Sequence, residues 1–165
     1  MSFLTPPIFY HQLGGDDGVW QTLQHMANIV NESFTNPWII ERARTIVSHC
    51  RRNLICENRA LQGWVNGSMQ YVRDPTGVES LFHPVSYVEA SIRNGQKPGG
   101  DCDDLSTYLA ALLKAVGHSP QFKVVSKVGS DFHHVLVYCD GYDLDPTLSY
   151  SSHGGANEKE GYFRI

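Results

Sequence analysis

The sequence predicts an α+β protein, and three observations carry that prediction. Apolar residues recur at helical spacing through the first two-thirds of the chain, β-branched and aromatic segments fill the last third, and the two patterns follow one another instead of alternating. With 165 residues, 41% of them hydrophobic, the chain is expected to form a single domain around one core. Thirteen basic against 17 acidic residues give a net charge of −4, which disfavours binding to a nucleic-acid backbone. No apolar run reaches the roughly 18 residues of a membrane span. Met1 to Pro7 lacks the basic start of a secretory signal, so a soluble protein of the cytoplasm is expected.

Pro6, Pro7, Gly14 and Gly15 mark residues 1–16 as an N-terminal arm. Val19, Leu23, Met26, Val30 and Phe34 then place a first helix from about Asp17 to Phe34. Asn36 and Pro37 read as a cap and first-turn proline, opening a second helix whose stripe is Ile39, Ala43, Ile46, Val47 and Cys50. A third helix is expected from Glu57, through Leu61, Trp64, Val65, Met69 and Val72, to about Arg73, where Asp74-Pro75-Thr76-Gly77 turns the chain. A short helix spans Pro84 to Arg93 before Asn94 and Gly95. From Cys102 to Val116, Leu105, Leu109, Leu112 and Leu113 predict a buried central helix.

Beyond Pro120, segments 122–128 and 132–138 read as strands, and Asp140-Gly141 between apolar flanks signals a hairpin, so at least three antiparallel strands are expected. Residues 149–160 read as a loop in a tail over 149–165, with Tyr162 to Ile165 able to add an edge strand. This divides the domain into arm 1–16, helical part 17–73, core 74–148 and tail. Cys50, Cys56, Cys102 and Cys139 show no CxxC spacing and are expected to be reduced thiols.

Chemistry concentrates where the central helix begins. Gly99-Gly100-Asp101-Cys102-Asp103-Asp104 puts a thiol in a helix first turn, where unpaired N–H groups favour an anion, and the glycines permit close approach of a substrate backbone. Three neighbouring aspartates oppose a thiolate, so a histidine partner is required. If Asp140-Gly141 is a two-residue turn, Leu136 faces Asp145 and His134 lies diagonal to that aspartate. His133 then points to the opposite face as a partly buried structural histidine, and Asp143 is solvated near the turn.

The order Gly-Asp-Cys at Cys102, His-Val-Leu-Val-Tyr from His134 and Leu-Asp-Pro-Thr around Asp145 resembles the transglutaminase-like superfamily of papain-like cysteine enzymes, over roughly Leu61 to Leu148. A Tyr-Val-x-Asp-Pro-x-Gly-x-Glu segment, Tyr71 to Glu79, is similar to its phage and prophage branch. The resemblance implies a papain-like core in which Cys102 is the nucleophile, His134 the general base and acid, and Asp145 the orienting carboxylate. The implied activity is amide cleavage through a thioester, as a peptidase or amidase, with transamidation as the outcome when an amine resolves the thioester. Oxyanion donors would be the Cys102 N–H with a side chain from Trp64, Gln70 or Tyr71.

Two departures stand out. Leu136 replaces the aromatic residue usual two positions after the histidine, and Asp101, Asp103 and Asp104 crowd the thiol. Those acids could cap the helix, bind a cation or favour a basic substrate side chain. A metal site from Asp103, Asp104, His133 and His134 has no supporting motif, and neither metal nor cofactor is expected. The expected partner is a peptide or peptidoglycan-type amide in a phage-infected or lysogenic bacterium, the protein being made in the host cytoplasm. The rival reading is a virion component, in a tail or its assembly, that uses the fold to bind neighbouring virion proteins with little or no turnover.

Overall fold

The helix with the densest apolar stripe, α5 (Cys102–Ala115), is the axis of the fold: every residue from Asp104 to Leu113 is buried. A computed structural model describes residues 8–10, 14–75, 78–126, 132–147 and 159–165. Three N-terminal helices, α1 (Gly15–Ser33), α2 (Pro37–Val47) and α3 (Leu54–Ser68), pack against α5. Their stripes of Leu23, Met26 and Val30, of Ile39 and Ala43, and of Leu61 and Val65 close over Leu109, Leu112 and Leu113. Asn36 caps α2 by accepting from the Trp38 N–H, and Pro37 fills the first helical position, as the sequence predicts.

On its other side α5 meets a four-stranded antiparallel sheet in the order β7-β6-β5-β8, made of β5 (Gln121–Ser126), β6 (His134–Cys139), β7 (Tyr142–Leu144) and β8 (Lys159–Arg164). Asp140 and Gly141 both adopt left-handed backbone, φ 52° and 86°, as a tight hairpin turn demands. The register is Val137 opposite Leu144 and Tyr138 opposite Asp143, which is the expected one. Strand β8 begins at Lys159, earlier than Tyr162. Gly161 lets it sit against β5, since a Cβ there would come within 3.1 Å of Trp20, 3.2 Å of Val124 and 3.3 Å of Phe132.

Four local expectations are corrected. The arm contains β1 (Ile8–Tyr10), which pairs antiparallel with β3 (Glu79–Leu81). The third helix starts at Leu54, capped by Asn53, and stops at Ser68. It ends early because β2 (Gln70–Tyr71) pairs in parallel with β4 (Gly99–Gly100), the Gln70 and Val72 N–H groups donating to the Pro98 and Gly100 carbonyls at 2.8 Å. Helix α2 ends at Val47, and Cys50 lies in the turn beyond it, joined to Cys56 by a disulfide, so two of the four cysteines are not thiols. The short helix opens as a π-helical turn, Pro84–Glu89, that runs into α4 (Ala90–Arg93). Residues 1–7 and 11–13 of the expected arm, Thr76 and Gly77 of the expected turn, Lys127 and Val128 of the first expected strand, and Leu148 to Glu158 of the core end and tail loop lie outside the described residues.

The π turn delivers Glu89 into the interior, wholly buried. Its carboxylate accepts from the Arg42 guanidinium at 3.0 and 3.2 Å and from the Tyr108 hydroxyl at 2.5 Å, and it forms an ion pair with Arg93 at 3.3 Å. A buried carboxylate is tolerated when its lone pairs are met in this way. Among the described residues no helix is long and apolar enough to cross a membrane.

Candidate active site

Cys102 is the first residue of α5, and its position is fixed by a capping box. The Asp101 side chain accepts from the Asp103 N–H at 3.0 Å while Asp104 reaches back to the Asp101 N–H at 3.2 Å. The second Asp104 oxygen accepts from the Phe82 N–H at 2.8 Å, tying the helix start to the segment after β3. The adjoining glycines admit this packing. A Cβ on Gly100 would fall 2.6 Å from the Asp104 Cβ, and one on Gly99 would fall 3.0 Å from a Val72 methyl.

Strand β6 brings His134 to the same place. Its neighbour Val135 directs a backbone N–H at the Cys102 sulfur, and the Ser106 hydroxyl donates to the Val135 carbonyl at 3.2 Å, locking β6 onto α5. The His134 Nε2 lies 2.6 Å from the Asp145 Oδ2, which leaves Nδ1 as the nitrogen able to take up a thiol proton. Asp145 is 1% exposed, and its other oxygen accepts from the Thr147 N–H at 2.9 Å and hydroxyl at 2.7 Å. Burial opposes its charge, yet the bonds from His134 and Thr147 hold its carboxyl below the ordinary value. Cys102, His134, His133 and Tyr71 all line one cleft of about 810 Å³.

The floor of that cleft is acidic. Asp74, Glu79, Asp101 and Asp103 lie on it, with Glu79 and Asp103 hydrogen-bonded to each other. Burial first, then the neighbouring carboxylates, push Asp103 and Asp104 well above the ordinary range and Asp101 up to about 6. Burial, followed by Asp103 and Asp101, also holds the Cys102 thiol well above its usual value, and its S–H donates to Asp103 at 3.5 Å.

The other candidates separate. Tyr71 lines the cleft, its hydroxyl raised by burial and by proximity to Cys102. Trp64 gives its indole N–H to the Tyr108 hydroxyl at 3.4 Å, away from the cleft, and Gln70 is an exposed strand residue outside it. His133 precedes β6 instead of belonging to its alternation, so it is exposed and lines the cleft, which corrects the expected half-buried role. Asp143 accepts from the Lys123 Nζ at 2.7 Å, and Leu136 is buried in the sheet. Asp104, with both oxygens used by backbone, is not offered to His133 or His134.

Two features have no signal in the sequence. Gln62 and Asn66 of α3 donate to the carbonyls of Asp145 at 2.8 Å and Pro146 at 3.1 Å, holding the backbone around Asp145 from outside the hairpin. A second Cys–His–Asp grouping also exists: His118 stands between Asp140 at 2.6 Å and Glu57 at 2.7 Å, with Cys139 donating to Asp140 at 3.4 Å.

In this arrangement a cysteine opens a helix that packs on an antiparallel sheet, with the histidine at the start of β6 and the aspartate just beyond the end of β7. A solved structure of a candidate cysteine protease from Cytophaga hutchinsonii is similar in fold, with a TM-score of 0.53 and 14% identity over 92% of this chain. The match covers 50% of that structure's chain, so the present chain spans half the length of its neighbour. No family model matches the chain, and no curated protein matches it.

Proposed function

We propose that the chain is a cysteine hydrolase that opens an amide bond at Cys102 through a thioester, as a peptidase does. One observation carries the reading: the imidazole of His134 is oriented by a buried carboxylate and borders the cleft that Cys102 lines. In the reaction His134 Nδ1 takes the thiol proton and the sulfur attacks the amide carbonyl. The Cys102 N–H and the Tyr71 hydroxyl supply donors for the oxyanion. The C–N bond then breaks as His134 returns the proton to the leaving amine, and water, deprotonated by His134, resolves the thioester to an acid. An amine in place of water gives a cross-link.

The phage or prophage origin and a peptide or peptidoglycan-type substrate belong to this proposal on the strength of the Tyr71–Glu79 and Gly-Asp-Cys motifs. A second reading, a virion binding protein on the same fold, is favoured by the acids that keep Cys102 a thiol and engage its S–H. Site-resolved alkylation of Cys102 by iodoacetamide across pH separates the two. Fast alkylation below pH ~8 that slows in His134→Ala supports the hydrolase, given an ordinary thiol value near 8.5. An unreactive thiol in both proteins favours the binding role.

A further inference from the structure

The turn between α2 and α3 holds chemistry that the cleft does not use. His49, Cys50 and Cys56 converge there: the His49 Nε2 lies 3.6 Å from the Cys50 sulfur and 3.7 Å from the Cys56 sulfur, and the two sulfurs are bonded. His49 is exposed and Cys56 partly exposed, whereas Cys50 is 4% exposed. The two sulfurs are therefore unequal, one open to an incoming group and one shielded. Cys56 lies in the first turn of α3, its N–H held by the Asn53 side chain, so a thiolate there faces the positive end of a fifteen-residue helix. Between the cysteines, Arg51 and Arg52 sit consecutively in left-handed backbone, φ 50° and 62°, which side-chain-bearing residues rarely adopt. The cross-link closes the turn that holds them there.

We propose that His49, Cys50 and Cys56 form a thiol–disulfide exchange site, opened at Cys56 by an external dithiol. A thiolate of the dithiol attacks the Cys56 sulfur, the Cys50–Cys56 bond breaks, and the electron pair leaves on Cys50. The His49 imidazole beside Cys50 passes it a proton. The second thiol of the dithiol then attacks its own mixed-disulfide sulfur, releasing Cys56, so two electrons and two protons move to the protein and the dithiol becomes a disulfide. Opening frees Arg51 and Arg52 to leave the left-handed region and loosens the first turn of α3. This site stands apart from Cys102 and does not depend on the catalytic reading.

The test uses the intact protein, purified without reductant and equilibrated in mixtures of reduced and oxidised dithiothreitol. Thiols are trapped by iodoacetamide and assigned by mass spectrometry, while circular dichroism follows the fold. Cys50 and Cys56 are expected to open together with the fold retained. A pulse of glutathione should leave its adduct on Cys56, and amide exchange over residues 48–58 should rise on reduction. His49→Ala should slow opening on the order of tenfold, the loss expected for a modest proton donor. Isolation with both thiols free, opening only in denaturant, an adduct on Cys50, or an unchanged rate in His49→Ala would each overturn the inference. The parent titration needs no variant, so a misfolded mutant does not leave the question open.

Discussion

Two regions of this molecule contain the same three residue types and arrange them for different ends. At Cys102, His134 and Asp145, one imidazole nitrogen is fixed by a buried carboxylate and the other remains beside a cleft. At Cys139, His118 and Asp140, both nitrogens are occupied by carboxylates, and the cysteine, 1% exposed, donates to the aspartate. Burial, then Asp140, pushes the Cys139 thiol up to about 12. The second grouping is a clamp: Glu57 and Asn58 of α3 grip His118 and Asp140, tying the helix to the hairpin turn. A list of residue types does not distinguish a reactive site from a clamp. The number of imidazole nitrogens left to work, and the space beside them, do.

The contrast can be broken most sharply at the cysteines. Cys102→Ala should abolish amide turnover, a loss approaching ~10⁶-fold where nucleophile and base act as a unit, with thermal unfolding unchanged. Cys139→Ala should retain turnover, and full activity in Cys102→Ala would end the distinction. The carboxylates come next. Asp145→Asn should lower kcat by about 10⁴-fold by misdirecting the imidazole tautomer, while Asp140→Asn should leave kcat near the parent value. Among the histidines, His118→Ala leaves Glu57 buried without its partner and should cost about 3–5 kcal/mol in urea unfolding. His133→Ala should change turnover far less than His134→Ala.

The smallest effects sharpen the acidic side of the comparison. Asp103→Asn removes the ionisable group nearest the Cys102 thiol and should speed its alkylation at pH ~8 by up to about tenfold. Asp101, raised to about 6, is more easily ionised unfolded than folded. Its contribution to stability is therefore present below about pH 4, the ordinary aspartate value, and is lost as pH rises toward 6. Asp101→Asn keeps the helix cap and should flatten that part of the urea midpoint against pH. Asp145 has the opposite sign, stabilising above the ordinary value and losing that contribution as pH falls through its lowered one.

Much of this was legible in the residues. The stripe from Leu105 to Leu113 allows only a buried helix, and Asp140-Gly141 sets a register that puts His134 near Asp145. Strands of two or three residues were not legible, because a segment as short as Gln70–Tyr71 carries no period and its partner lies nearly thirty residues on. Nor was the Cys50–Cys56 bond, since in the sequence both residues read as parts of apolar helical stretches, where small core thiols are equally at home. The grip of Gln62 and Asn66 on the chain around Asp145 uses backbone carbonyls, which no sequence pattern marks.

The parallel pairing of Gln70–Tyr71 with Gly99–Gly100 has a consequence for anyone reshaping this cleft. Tyr71 and Cys102, which both line the cleft, hang from one short bridge in which a Cβ on Gly100 would collide with Asp104 and one on Gly99 would press on Val72. Redesign has no room at the bridge and must begin at Val78 and His133, exposed side chains that line the cleft and can change without moving the sulfur.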